Sequence, residues 1–380
     1  MKITGIICEY NPLHSGHKKQ LDAVRAIEPE GGIVCLMSGN FVQRGMPAII
    51  HKALRAKAAI LSGADLVLEL PVTAALSSAE GFADAGVAIL SQFCHSLCFG
   101  AENADKAPLL DTARALLSQN FTAALRRELD KGLSFPAARQ AAVEAMGLDG
   151  HLLTQPNNIL AVEYCKAIIA QNSPLVPMPI PRQGSYHDTV ADIQNPSATA
   201  VRDRMEKGSD WCAYVPKCAA RCFENAPLHT VEAGERAILG KLRTMSDADF
   251  EALPYGSEGL WRKLMHAVRS QATLEDIITA TKSKRYTRTR IDRMVMCAFL
   301  GLTQQALNTP APYVRVLALN DKGREILKIA RQAGDFPNIG QHMDCPYQAI
   351  EDRCGDLYSL FCVNAPESAG REAEQRVYCQ

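Results

Sequence analysis

An α/β chain built on a parallel sheet is what this 380-residue sequence predicts, and three observations carry the prediction. Strand-like and helix-like segments alternate over the first hundred residues. The strand-like segments are near-continuous apolar runs, which is how strands buried on both faces read. Polar, glycine-containing turns follow those runs, at the ends where open parallel sheets bind their ligands.

The opening strand runs through Gly5-Ile6-Ile7-Cys8 and stops at Pro12. A helix begins at about His14. Gly32-Ile33-Val34-Cys35-Leu36-Met37 is a second buried strand, followed by a helix over Lys52–Leu61. Asp65–Leu70 is a third strand, stopped by Pro71. A helix over about Ser78–Gln92 leads into a fourth strand, Ser96–Gly100. Residues 105–147, rich in Ala and Leu, read as a helical insertion with a turn at Lys131–Pro136. Pro156-Asn157-Asn158 opens the next helix, with asparagine as its expected cap. Leu175–Ile180 reads as a last strand, at an edge because of its prolines. Arg182–Asp188 is a loop, and Ser197–Arg202 starts a further helix. After Gly208 the composition shifts, so we place a sheet-bearing domain at 1–208 and a mostly helical domain at 209–380. The latter contains a strand-like stretch at Tyr313–Leu319, a helix at Lys322–Ala333 and a polar tail expected to be loosely ordered.

Composition narrows the class. The chain is 47% hydrophobic and 22% charged, ordinary for a globular protein. Lys plus Arg and Asp plus Glu are both 41, so any RNA contact must come from a local patch. The start lacks a secretory pattern, and no apolar run of about eighteen residues exists to span a membrane. Thirteen dispersed cysteines without a Cys-x-x-Cys pair suit a reducing cytoplasm. Cys212, Cys218, Cys222 and His229 fit no standard zinc spacing, so no metal site is assigned.

The chemistry concentrates in Glu9-Tyr10-Asn11-Pro12-Leu13-His14-Ser15-Gly16-His17. Histidines three apart in a first helical turn share a face. Gly16 lets a ligand approach the backbone, and a helix N-terminus favours a polyanion. Imidazoles in that setting can hydrogen-bond the phosphates of ATP as charge builds on a leaving pyrophosphate. The plainer alternative is a pair of solvated loop histidines. A second feature is the basic run 282–293, in which Lys282, Lys284, Arg285, Arg288, Arg290 and Arg293 surround Tyr286. It reads either as a solvated helix face or as an RNA contact with Tyr286 stacking on a base.

His14-Ser15-Gly16-His17 matches the His-x-Gly-His signature of the nucleotidyltransferase superfamily. The wider wording resembles the bacterial tRNA(Met) cytidine acetate ligases. Its carriers are the opening run, Met37–Gly45, Gly63–Pro71, Phe99–Glu102, Pro156–Leu160, Ser197–Arg202 and Lys284–Arg290. The sequence departs from the family pattern at Leu13, where phenylalanine is usual, and at Cys8, where a small aliphatic residue or alanine is common. Both are apolar changes beside the nucleotide motif.

The resemblance implies a Rossmann-like catalytic domain of the HIGH nucleotidyltransferase type. ATP would lie along Ile7, Cys8, Glu9, Tyr10, Asn11, Pro12, Leu13, His14, Ser15, Gly16, His17, Lys18, Lys19 and Gln20, with further contacts at Gly100, Asn157 and Arg182. Ser197 and Arg202 resemble the superfamily's second signature, which holds the outer phosphates. The implied reaction activates acetate as acetyl-adenylate and acetylates the wobble cytidine of elongator tRNA(Met). His14 and His17 would be its catalytic pair, and Mg2+ would ride on the triphosphate. Arg126, Arg127, Lys131 and Arg139 form a second, smaller basic patch. The alternative activity is a nucleotidyltransferase acting on a small phosphorylated metabolite or cofactor precursor, which needs the histidines but not the basic run. A non-enzymatic nucleotide sensor or RNA-binding protein is the third reading.

Overall fold

The computed structural model describes residues 1–182, 192–193, 195–333, 338–339, 346–364 and 367–380. All but Arg182 of the loop expected at 182–188 therefore lies outside the described residues. Strands β1 (Ile3–Cys8), β2 (Gly32–Ser38), β3 (Leu66–Leu70), β4 (Ser96–Ala101), β5 (Val176–Pro181), β6 (Val316–Leu319) and β7 (Tyr378–Cys379) form one sheet. Their order is β7-β6-β3-β2-β1-β4-β5. The pairs from β3 across to β5 are parallel, and β6 adds antiparallel to β3. The prolines of β5 sit at the sheet edge, where the missing N–H groups break no ladder.

Alternation along the strands sorts the core into two layers. Ile3, Ile7, Val34, Leu36, Leu66 and Leu68 face the helices Ala79–Leu90 and Pro156–Ala170. Ile6, Ile33, Cys35, Met37 and Val67 face Ser15–Ile27, Lys52–Leu61 and Ala198–Glu206. Helices on both faces are what the continuous apolar strands require. The insertion is three helices, Lys106–Leu116, Gln119–Asp130 and Phe135–Glu144. A third core, drawn mainly from helices between Val231 and Leu300, packs against Phe41, Val72 and Leu76.

Three expectations need correction. The sheet does not end at β5, and it crosses the boundary placed at 208, because β6 and β7 extend it from the C-terminal part. Their apolar residues, including Leu317 and Ala318, complete the layer under the helix Lys52–Leu61. The stretch Tyr313–Leu319 is not one strand. It breaks at Arg315, whose carbonyl accepts the Glu69 N–H at 2.8 Å while Tyr313–Val314 pairs separately with Asn338–Ile339. The tail is anchored rather than loose: Glu372 is buried against Lys52 and Arg315, and Lys52 Nζ also meets Glu69 at 2.7 Å. One charge of that tail, Glu372, pairs in the interior while Arg371, Glu374 and Arg376 stay exposed, so overall polarity misreads the segment.

Candidate nucleotide site

The chain builds β1, β2 and β3 outward in one direction, then returns to place β4 on the other side of β1. The crevice beyond the C-termini of β1 and β4 is the switch point of such a sheet. A cavity opens there. Its walls are Ile7–Asn11 from the end of β1, His14, His17 and Gln20, Val42–Arg44 after β2, and Phe99 and Gly100 from β4. Asn157, Leu160, Tyr164, Arg182, Ser197, Thr199 and Arg202 close it.

His14 is the N-cap of the helix Ser15–Ile27 and His17 its third residue. His14 Nδ1 accepts the Gly16 N–H at 3.1 Å, and His17 Nδ1 accepts the His14 N–H at 3.2 Å. Each ring therefore carries its proton on Nε2. The rings stack with centroids 3.7 Å apart and planes inclined by 21°. Burial, then the neighbouring His17, Arg182 and Arg202, hold the His14 pKa well below the ordinary value. Burial and Arg182 lower that of His17 to about 3. Both are thus neutral Nε2–H donors at physiological pH, and His14 Nε2 is buried with no hydrogen-bond partner among the described residues. A side chain at position 16 would crowd this cap, because a Cβ there would lie 3.0 Å from the His14 ring.

The arginines are set by a relay of hydrogen bonds. Glu102, just past β4, accepts the backbone N–H groups of Asn157 at 3.2 Å and Asn158 at 2.7 Å. It also accepts the Asn157 side-chain amide at 2.6 Å, leaving Asn157 Oδ1 to accept from Arg182 at 3.0 Å. Asn157 is therefore not the expected cap: Gln155 occupies that position, with Pro156 at the first helical residue. Arg202 donates to the Asn11 carbonyl at 2.6 Å and to Thr199 Oγ1 at 3.1 Å. Ser197 does cap its helix, accepting from Ala200 N–H at 3.1 Å. Two neutral imidazole donors and two guanidinium groups on one cavity suit a polyphosphate.

Not every residue named from the sequence reaches the cavity. An adjoining pocket takes in Gly16 and Lys19 along with His14, His17, Gly100 and Arg182. Pro12 and Leu13 are buried behind the motif. Ser15 Oγ donates to the Tyr214 carbonyl at 3.0 Å, and Lys18 pairs with Asp22. None of these four lines either pocket. Conversely, Gln43, Arg44, Phe82 and Tyr164 were not assigned from sequence. For the first two the signal was present in the Met37–Gly45 wording; Phe82 and Tyr164 looked like ordinary core positions on helices.

The basic run is largely engaged within the protein. Tyr286 is only 8% exposed and donates its hydroxyl hydrogen to the Glu258 carbonyl at 2.5 Å, so it does not present its ring for stacking. Arg288 makes two 2.6 Å bonds to Glu275, Arg285 pairs with Glu258 at 3.2 Å, and Arg290 donates to the Tyr255 carbonyl at 3.0 Å. Lys282, Lys284, Arg285 and Arg288 remain exposed. Arg293 lies against the Gln43 carbonyl at 3.4 Å, which joins the run to the cavity wall.

Comparison with known proteins agrees with this geometry. The family model described as HIGH Nucleotidyl Transferase matches residues 1–373. A tRNA(Met) cytidine acetate ligase of Clostridium tetani is 36% identical over 364 residues, covering 90% of each chain. That of Acetivibrio thermocellus is 31% identical over 413 residues, covering 99% of each. Crystal structures of Thermotoga maritima TmcAL superpose over 100% of both chains at 28% identity, with TM-scores of 0.91 for the apo form and 0.89 for the form bound with alpha-thio ATP. In the described residues no helix is long and apolar enough to cross a membrane.

Proposed function

Because the chain belongs to the tRNA(Met) cytidine acetate ligase family of HIGH nucleotidyl transferases, we propose that it acetylates the wobble cytidine of elongator tRNA(Met) in the cytoplasm, using ATP and acetate. The observation that carries the reading is the stacked, neutral His14–His17 pair at the switch point, between Arg182 and Arg202.

An acetate oxygen attacks the α-phosphorus of ATP, the α–β bond breaks, and pyrophosphate leaves with the bonding electrons. The cytidine N4 amine then attacks the acetyl carbon, AMP departs, and the amine loses a proton. The protein's part is placement and charge stabilisation. His14 and His17 donate from Nε2 to phosphate oxygens, while Arg182 and Arg202 hold the outer phosphates. Glu9 is the one carboxylate among the described residues lining the cavity, and its Oε1 already accepts the Gln43 N–H at 2.9 Å. That lining fits Mg2+ carried on the triphosphate better than a resident ion in a carboxylate cage.

In this reading residues 1–208 handle ATP and acetate, and much of 209–380 handles RNA. The exposed cations at Lys282, Lys284, Arg285 and Arg288 meet tRNA phosphates, and the contact of Arg293 with Gln43 brings that surface to the rim of the acyl site. Incubation with ATP, labelled acetate and unmodified tRNA, followed by nucleoside mass spectrometry, should yield labelled N4-acetylcytidine only when both small substrates are present. Its absence with ATP still bound would shift the reading to a small-metabolite nucleotidyltransferase. Charge reversal at Lys284 and Arg285 should raise the KM for tRNA roughly tenfold or more and make the salt dependence of tRNA binding shallower, while leaving ATP binding intact.

A further inference from the structure

A second cluster lies away from the nucleotide cavity, where the backbone of His229 bridges that of Cys362. The Thr230 N–H donates to the Phe361 carbonyl at 2.9 Å and the Val363 N–H to the Leu228 carbonyl at 2.8 Å, so the two segments are held in register. Side-chain donor atoms of His229, Cys362 and Glu367 converge to within 4.8 Å of one another. His229 is 2% exposed, and neither ring nitrogen has a hydrogen-bond partner among the described residues. Its Nε2 lies 3.6 Å from Glu367 Oε2, too far for a hydrogen bond. Two ligand atoms each about 2.0 Å from one tetrahedral ion stand ~3.3 Å apart, so the His229–Glu367 pair needs only a small closure to share one.

We infer that His229, Cys362 and Glu367 form a binding site for a zinc ion that clips the C-terminal segment onto the body of the protein. The donor set, one imidazole nitrogen, one thiolate and one carboxylate oxygen, is that of zinc rather than of calcium or magnesium. The surroundings are built for orientation. Tyr358 stacks on the His229 ring at 4.0 Å and 15°. Arg371 pairs with Glu367 Oε1 at 2.5 Å, leaving Oε2 towards the histidine. Such support of a ligating carboxylate is a common outer-shell device. The sequence hid the site because its histidine and thiol stand far apart in the chain. The nearby Cys212, Cys218 and Cys222 are not part of it.

Zinc binding at this cluster can be measured without any acetylation assay. Full-length protein stripped with chelator is titrated with Co2+, and zinc affinity is measured against a chromophoric chelator. The expected result is about one metal per chain with a near-ultraviolet thiolate-to-cobalt charge-transfer band. Cys362→Ser should abolish the band, and His229→Gln should weaken zinc binding more than tenfold. Zinc binding that is absent, or unchanged in both variants, overturns the inference and leaves a buried histidine–carboxylate contact. If either variant fails to fold, a wild-type cobalt spectrum without a thiolate band overturns it equally.

Discussion

In the proposed reaction His14 and His17 serve as neutral donors. Their Nδ1 atoms are spent on backbone N–H groups, which fixes each proton on Nε2. Replacing either by alanine should slow acetate-dependent pyrophosphate release by roughly 10²–10³-fold, the usual loss for one preorganised donor to developing charge. The dissociation constant for ATP should move much less, because Arg182 and Arg202 remain. Equal losses in binding and rate would count against a transition-state role. Asn157 belongs to the same scale. It ties Arg182 to Glu102, and Asn157→Ala should raise the KM for ATP about tenfold, the worth of one hydrogen bond to a charged group.

Between elements, the decisive contact is the close passage of the loop after β2 over the helix Arg288–Leu300. Gly45 has φ of +80°, and a Cβ there would stand 2.4 Å from the Arg293 backbone nitrogen. Gly45→Ala should therefore destabilise the fold by about 1–3 kcal/mol in chemical denaturation and disturb Gln43 and Arg44 at the cavity wall. Unchanged stability would mean that the helix and loop are not so closely joined. Much of this level was legible in the sequence. The helix Lys52–Leu61 and the run of parallel strands followed from apolar patterning and stops at Pro and Gly. What patterning could not give was partnership across long separations. Nothing local to Val316–Leu319 says that it pairs with β3, and nothing in Asn157 says that its side chain serves Arg182 rather than its own helix. The histidine motif was legible because one turn contains it; Tyr164 in the cavity wall was not, because only the folded packing of its helix brings it there.

For the whole molecule, the C-terminal tail is a structural part of the N-terminal sheet. Glu69 and Glu372 share Lys52 and Arg315 in the interior, so removing one partner strands the others' charges. Lys52→Met should cost about 3–5 kcal/mol in denaturant unfolding. The buried histidines add a pH dependence. His17 and His51 each have a folded pKa of about 3, both chiefly through burial, against the model-peptide value of 6.5. The unfolded chain takes up their protons as pH falls through about 6.5, while the folded chain does not. Stability is thus intact above that pH and declines between 6.5 and 3, by about 1.4 kcal/mol per pH unit for each histidine once well below 6.5. Melting temperatures should fall between pH 6.5 and 5. His51→Asn, which keeps a capping side chain before Lys52, should make that fall shallower.

In the proposed reaction acetate is activated at the α-phosphorus of ATP, and oxygen-18-labelled acetate follows that step. If a carboxylate oxygen forms the mixed anhydride, the AMP released after acetyl transfer to tRNA must carry one labelled oxygen. Labelled AMP and unlabelled pyrophosphate are expected by mass spectrometry. ADP with labelled phosphate would instead mean attack at the γ-phosphorus, and would contradict the proposed reaction.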